Sequence, residues 1–271
     1  MIEKQRTATL VFSIGMIAMG VISVISRDFA FGWQPVPAFH PGREALAVLC
    51  GLFMIATSVA ILFRATSAIA ARAIFPFLVA WFGLKIPALI VAPKIEGVWL
   101  GAGEIGMLLA GGWVLFASFS GLDDTGPFSR ITGRRGIRIS QILFGLAVIP
   151  VGLGHIFYPN ITAHLVPAWM PFRVPLAYIT GIVQIGCGLA ILFSVLPRAA
   201  AMLETVMLAL FAFLVWGPDT WFASTPKMAG SPTGARFPLT AFLITWVIGG
   251  AALLIAGSFS SPGDYAGEKR E

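Results

Sequence analysis

Residues 154–193 read GHIFYPNITAHLVPAWMPFRVPLAYITGIVQIGCGLAILF. The stretch leaves one apolar segment, crosses a proline-rich turn (Val166-Pro167-Ala168-Trp169-Met170-Pro171-Phe172-Arg173) and enters a second apolar segment. It carries His155 and His164 of the three histidines and Cys187 of the two cysteines. Its pattern recurs earlier in the chain. Laid over 167–194 without a gap, residues 37–64 match at Pro37/Pro167, Ala38/Ala168, Pro41/Pro171, Arg43/Arg173, Leu46/Leu176, Ala47/Ala177, Gly51/Gly181, Ile55/Ile185 and the run Ala60–Phe63/Ala190–Phe193. Apolar composition alone produces chance identities among Ala, Ile and Leu. It does not produce aligned Pro, Arg and Gly, so this is an internal repeat. Gly15 against Gly145 and Gly111-Gly112 against Gly249-Gly250 extend it loosely.

Composition sets the surroundings. Of the 271 residues 58% are hydrophobic and 11% charged, whereas a soluble domain is roughly a quarter charged. Such a chain calls for lipid as its solvent. The 22 Phe and 8 Trp fit aromatic belts at the headgroup level. The net charge of +6 is carried in loops and flanks, where it orients a membrane protein or meets anionic lipid, and nucleic acid is not an expected partner. Cys50 and Cys187 lie inside apolar segments, without metal-ligand spacing or a disulfide framework, and read as small buried hydrophobes. The charged Met1–Arg6 followed by the long apolar run Ala8–Ile25 reads as a retained span rather than a cleaved leader.

A spanning helix needs about twenty apolar residues. Eight segments qualify, near 8–25, 44–63, 68–92, 97–119, 139–157, 174–196, 199–221 and 237–259. The expected fold class is therefore an all-α polytopic membrane protein with eight transmembrane helices. Lys4, Arg6, Arg64, Arg72, Arg130, Arg134, Arg135, Arg138, Arg198, Lys269 and Arg270 fall on one side, against Arg27, Arg43, Lys94, Arg173, Lys227 and Arg236 on the other. The positive-inside rule then places both termini and the central linker in the cytoplasm of a cell with an inner (plasma) membrane. Four spans per repeat is an even number, so both halves enter and leave on the same side. This predicts two parallel-repeat four-helix bundles: a first unit over 1–120, a basic cytoplasmic linker over 121–138, a second unit over 139–260 and a cytoplasmic tail over 261–271. The linker is either an orientation signal or a docking patch for a cytoplasmic subunit or anionic lipid.

The second copy holds Gly152 and Gly154, His155, Phe157 and Pro159 at the end of its first helix. Val166, Pro167 and Pro171 follow, then Tyr178, Thr180 and Gly181 opening a glycine-rich apolar helix. This arrangement resembles the DoxX-like integral membrane proteins, well over 140–196 and more weakly over 10–64. The resemblance implies a polytopic inner-membrane protein, a redox-associated subunit handling quinone or a small compound. It implies no firm reaction, and an enzymatic activity stays open. Family members often carry an acidic residue after the Thr-Gly of the second helix. Here Gln184 stands there, with Met54 in the first copy, and Ile25 stands in the first copy where His155 stands in the second.

Ionisable groups at membrane depth are costly and so mark candidate sites. Lys85 and Glu104 each lie about seven residues from the outer ends of spans 3 and 4, about 10 Å deep at 1.5 Å per residue. They read as an intramembrane ion pair that either fixes register or binds ligand. His155 and Asp219 sit at the outer ends of spans 5 and 7, and a His–Asp arrangement would set the imidazole tautomer. Arg43 and Arg173 open helices where their charge opposes the dipole. Glu44 is the expected counter-group for Arg43; Asp219, a carbonyl or an anionic ligand is expected for Arg173. Glu204 is expected to reach Arg198 or water. His40 and His164 lie in outer loops and make no metal-like spacing. The candidate ligand-binding set is thus His155, Arg173, Asp219, Lys85, Glu104, Gln184 and Tyr158, in one outer-leaflet pocket also lined by Trp81, Trp99, Trp216 and Trp221. Quinone is the candidate cofactor. A transporter, a lipid-interacting protein or a scaffold subunit without redox activity are the alternatives.

Overall fold

The structure, a computed structural model, describes residues 3–30, 33–122, 126, 128–222 and 234–259. Its elements are α1 (Glu3–Ser26), α2 (Arg43–Ala60), α3 (Ser67–Gly83), α4 (Ile86–Val91), α5 (Glu96–Phe119), α6 (Gly133–Phe157), α7 (Pro159–Leu165), α8 (Arg173–Leu192), α9 (Pro197–Leu210), a π-helical segment (Phe211–Trp216), α10 (Gly217–Trp221) and α11 (Phe237–Ser258). Among the described residues, eight helical stretches are long and apolar enough to cross a membrane: Gln5–Ser26, Arg43–Ala60, Ser67–Val91, Glu96–Phe119, Gly133–Phe157, Arg173–Leu192, Pro197–Trp221 and Phe237–Ser258. Their outward faces are apolar too, with Leu49, Ile69, Ile179 and Ile182 all exposed. Such exposed aliphatic side chains suit a surface that faces lipid.

The helices pack around two central ones. In α5 and in α11 72% of the most apolar window is buried, against 17–50% in the other six. These two are rich in Gly and Ala and lie against each other, where Gly111 faces Ala251. Small residues let backbones approach closely, which is how apolar helices gain contact when lipid is the competing solvent. A Cβ on Gly103 would stand 2.5 Å from the Ala147 carbonyl of α6, and one on Gly250 2.8 Å from the Phe12 Cα of α1. So α5 takes α6 as a neighbour and α11 takes α1. The fourth long helix of each set packs on the first helix of the other, through faces made of small residues.

The repeat reappears as contacts. A Cβ on Gly20 would meet the Gly51 carbonyl at 2.6 Å and Ile55 Cγ1 at 2.8 Å; a Cβ on Gly152 would meet the Gly181 carbonyl at 2.7 Å and Ile185 Cγ1 at 2.8 Å. Gly51 lies against Ser23 and Val24 as Gly181 lies against His155 and Ile156. The first helices thus correspond two residues away from the Gly15/Gly145 match, because the connection from α1 to α2 is two residues longer than its counterpart. Ser23, not Ile25, stands where His155 stands. The left-handed residue preceding each second helix also recurs, Gly42 at φ 69° and Phe172 at φ 54°. The third spans are both interrupted near the expected outer end. In one, α3 stops at Gly83 and α4 restarts with Pro87 in its first turn. In the other, α9 widens into the π-helical Phe211–Trp216 before α10, which carries Pro218 in its first turn. A proline lacks the N–H that would continue the ladder.

The expected 121–138 linker is shorter in the structure, since α6 begins at Gly133. Residues 123–125 and 127 of it, and the 261–271 tail, lie outside the described residues. Cations at this end cap helix C-termini: Arg72 Nε donates to the Ser120 carbonyl at 2.8 Å and Arg138 Nη2 to the Leu192 carbonyl at 3.2 Å. A positive group there complements the negative end of the helix dipole.

Candidate functional site

A cavity of about 700 Å³ opens at the expected outer end, where the α1–α2 connection, α5, α11 and Trp216 meet. Its size is that of a small-molecule site. Phe29, Leu100, Trp216, Phe237 and Ile244 give it apolar walls, and Gln34, Lys85, Glu104, Asp28 and Arg43 give it polar ones. Gly101 makes room for the lysine, since a Cβ there would stand 3.3 Å from Lys85 Nζ. Lys85 and Glu104 are both partly buried on this cavity and feel each other's charge. Gln34 is 3% exposed; its Oε1 accepts from the Ala30 N–H at 3.0 Å, while its Nε2 is buried without a partner.

The mouth is held by Asp28, which bridges Arg43 and Arg236 with its two carboxylate oxygens. Arg43 also lies 5.4 Å above the Phe29 ring. Burial alone would raise the Asp28 pKa. Hydrogen bonds from the two arginines, the Arg43 charge and the Phe29 N–H outweigh it and hold the carboxyl below its ordinary 3.8. The counter-group of Arg43 is therefore Asp28, not Glu44. Asp28 and Gln34 escaped sequence reasoning. The available signal for Asp28 was an acid and an arginine in one outer connection.

Of the expected pocket residues this cavity gathers Lys85, Glu104 and Trp216. The others lie elsewhere. His155 Nδ1 bonds Thr180 Oγ1 at 2.8 Å, and the ring packs on Phe211 with centroids 5.6 Å apart. The threonine hydroxyl proton reaches the Leu176 and Ala177 carbonyls at 2.9 and 3.0 Å, which leaves the imidazole as donor through Nδ1. His155 is thus oriented by Thr180 rather than by Asp219, which is buried in α10. Arg173 is exposed, and the Tyr158 hydroxyl accepts from the Gly97 N–H at 3.4 Å. Trp81 is buried in an aromatic cluster, with ring centroids 5.6 Å from Phe29 and 6.2 Å from Trp33. Trp99 bonds the Pro93 carbonyl and Trp221 packs on Phe242. Gln184 is fully buried and its Nε2 donates to Glu204 Oε1 at 3.1 Å, so Glu204 turns to Gln184 where Arg198 or water was expected. The two residues lie on adjacent helices, a pairing with no signature in sequence spacing.

Residues 144–250, which run from α6 to α11, match a family described as Domain of unknown function (DUF8561). No curated protein and no solved structure matches the chain.

Proposed function

We propose that the chain is a multi-pass inner-membrane protein of two DoxX-like four-span halves with both termini in the cytoplasm. In this reading it acts as a redox-associated subunit whose cavity takes a quinone-class compound from the outer leaflet. The observation that carries the reading is Gln34. A buried amide donor without a partner is costly, and the residue that carries it is one of those lining a cavity of about 700 Å³ with aromatic walls. Turned toward the cavity, the Gln34 amide would donate to a carbonyl oxygen on an apolar ring that fills it. Lys85 is a second donor on the same wall. The test is titration of the purified protein in lipid nanodiscs with a short-chain quinone. The expected result is saturable binding, weakened about tenfold in Gln34→Leu, the cost of one hydrogen bond of about 1.4 kcal/mol. Absence of saturable binding, or equal affinity in the variant, contradicts the reading.

A second reading, transport of a small compound without redox chemistry, is favoured by the interrupted third spans at Gly83–Ile86 and Phe211–Trp216. Discontinuous helices and π-helical segments recur at substrate sites of membrane transporters. Substrate-dependent flux in proteoliposomes distinguishes the two.

A further inference from the structure

Away from the cavity, α8 and α9 bring together two fully buried polar side chains. Gln184 and Glu204 are each 0% exposed, and Gln184 Nε2 donates to Glu204 Oε1 at 3.1 Å. The remaining oxygens, Gln184 Oε1 and Glu204 Oε2, are buried and meet no donor. Two unsatisfied acceptors side by side in an apolar interior are expensive, and an ionised carboxylate with one bond more so. One proton resolves both. Placed on Glu204 Oε2 it makes a donor, and Gln184 Oε1, on the amide already bonded to the other carboxyl oxygen, is an acceptor without one.

The repeat supplies an independent observation. At the matching positions of the first half stand Met54 and Ile74, 0% and 1% exposed. The corresponding positions are filled there by buried apolar side chains, so the repeat unit does not require a polar pair at this place. What the second half adds is chemistry.

We propose that Glu204 and Gln184 form a proton-binding site in the membrane interior. Glu204 takes one proton from water, its carboxylate becoming the neutral acid, and shares that proton with Gln184. The groups around it are few. Cys187 is the titratable neighbour on α8; α11 and the π-helical segment, both packed on α9, contain no ionisable residue. Arg198 lies about 9 Å along α9 toward the inner end. Thr180, which holds His155, lies one turn from Gln184 toward the outer end. Neither Gln184 nor Glu204 lines the cavity, so this proposal and the quinone reading stand or fall separately.

Infrared spectroscopy of the purified protein in nanodiscs at neutral pH tests it. The expected spectrum contains the carbonyl stretch of a buried protonated carboxyl. That component disappears in Glu204→Gln and moves to higher wavenumber in Gln184→Leu, where the carbonyl loses its amide donor. Glu204→Gln, an isostere of the neutral acid, is expected to fold and to melt at or above the wild-type temperature at neutral pH. As pH rises above the ordinary glutamate value of about 4.3 the wild type loses stability that the variant keeps. A spectrum without the acid component, one unchanged in Glu204→Gln, or a Glu204→Gln protein that does not fold at neutral pH overturns the proposal.

Discussion

Asp28 lies two residues beyond the end of α1 and holds one arginine at the start of α2 and another just before α11. Because the folded carboxyl is held below 3.8, the stability it contributes is fully present above the unfolded-state value of about 3.9. It is lost as pH falls through the lower folded value. Asp28→Asn is expected to cost about 1.5–3 kcal/mol at neutral pH, the range for hydrogen bonds to charged groups. The variant should also lose the acid-dependent part of the melting curve, read by thermal denaturation between neutral pH and pH about 3. Gly42 is a different case. Nothing lies within 4 Å of a Cβ built there, yet its φ is +69°, so Gly42→Ala should cost about 1–2 kcal/mol from backbone conformation alone. Its counterpart Phe172 bears that strain at φ 54°. Residues of this kind are where the sequence was least legible. Lys85 and Glu104 announced themselves as charges inside apolar runs. The partners of His155 and Glu204 did not, because each sits on another helix at a distance along the chain that no local pattern encodes, and Asp28, the partner of Arg43, lies in an irregular connection.

Helices were legible because their signal is local: twenty apolar residues, bounded by Pro, Gly or charge, give one element whatever surrounds them. All eight long stretches follow from that rule, and the interruptions fall beside Pro87 and Pro218. The crossings between helices were legible in part, through the repeat. Gly51 and Gly181 align in sequence, and each faces the carbonyl of a glycine on the preceding long helix, Gly20 or Gly152. The two-residue shift of the first helices was not readable, since the connection that causes it is irregular. At this scale Gly51→Ala and Gly181→Ala should each lower stability by about 1–3 kcal/mol through overpacking. Gly186→Ala, with open space around its Cα, should change it by less than about 0.5 kcal/mol. Thermal melts of the three variants in one detergent give the comparison; equal behaviour at 181 and 186 would sink the close-crossing account.

Across the whole molecule the two sets of four helices share their centre. The face of α1 around Phe12 is covered by Gly250 of α11, and Gly103 of α5 by Ala147 of α6. A fragment ending after α5 would expose both faces. Residues 1–122 expressed alone should therefore aggregate or be degraded, whereas co-expression with the remainder of the chain should give a complex that purifies intact; a stable, monodisperse first half alone would contradict this packing. The cavity also belongs to the whole, since it needs Asp28 and Gln34 from the first set and Trp216, Phe237 and Ile244 from the second. Sequence reasoning joined Lys85 and Glu104 to His155 and Arg173 across the two halves; the cavity takes the first two and leaves the others out. Labelling with a photoreactive short-chain quinone in nanodiscs, followed by peptide mapping, tests the central claim most directly. The account predicts that label concentrates on the cavity walls at Phe29, Trp216 and Phe237 and is competed away by unlabelled quinone. Label confined to lipid-facing residues such as Ile69 and Ile182, and insensitive to competition, would contradict it.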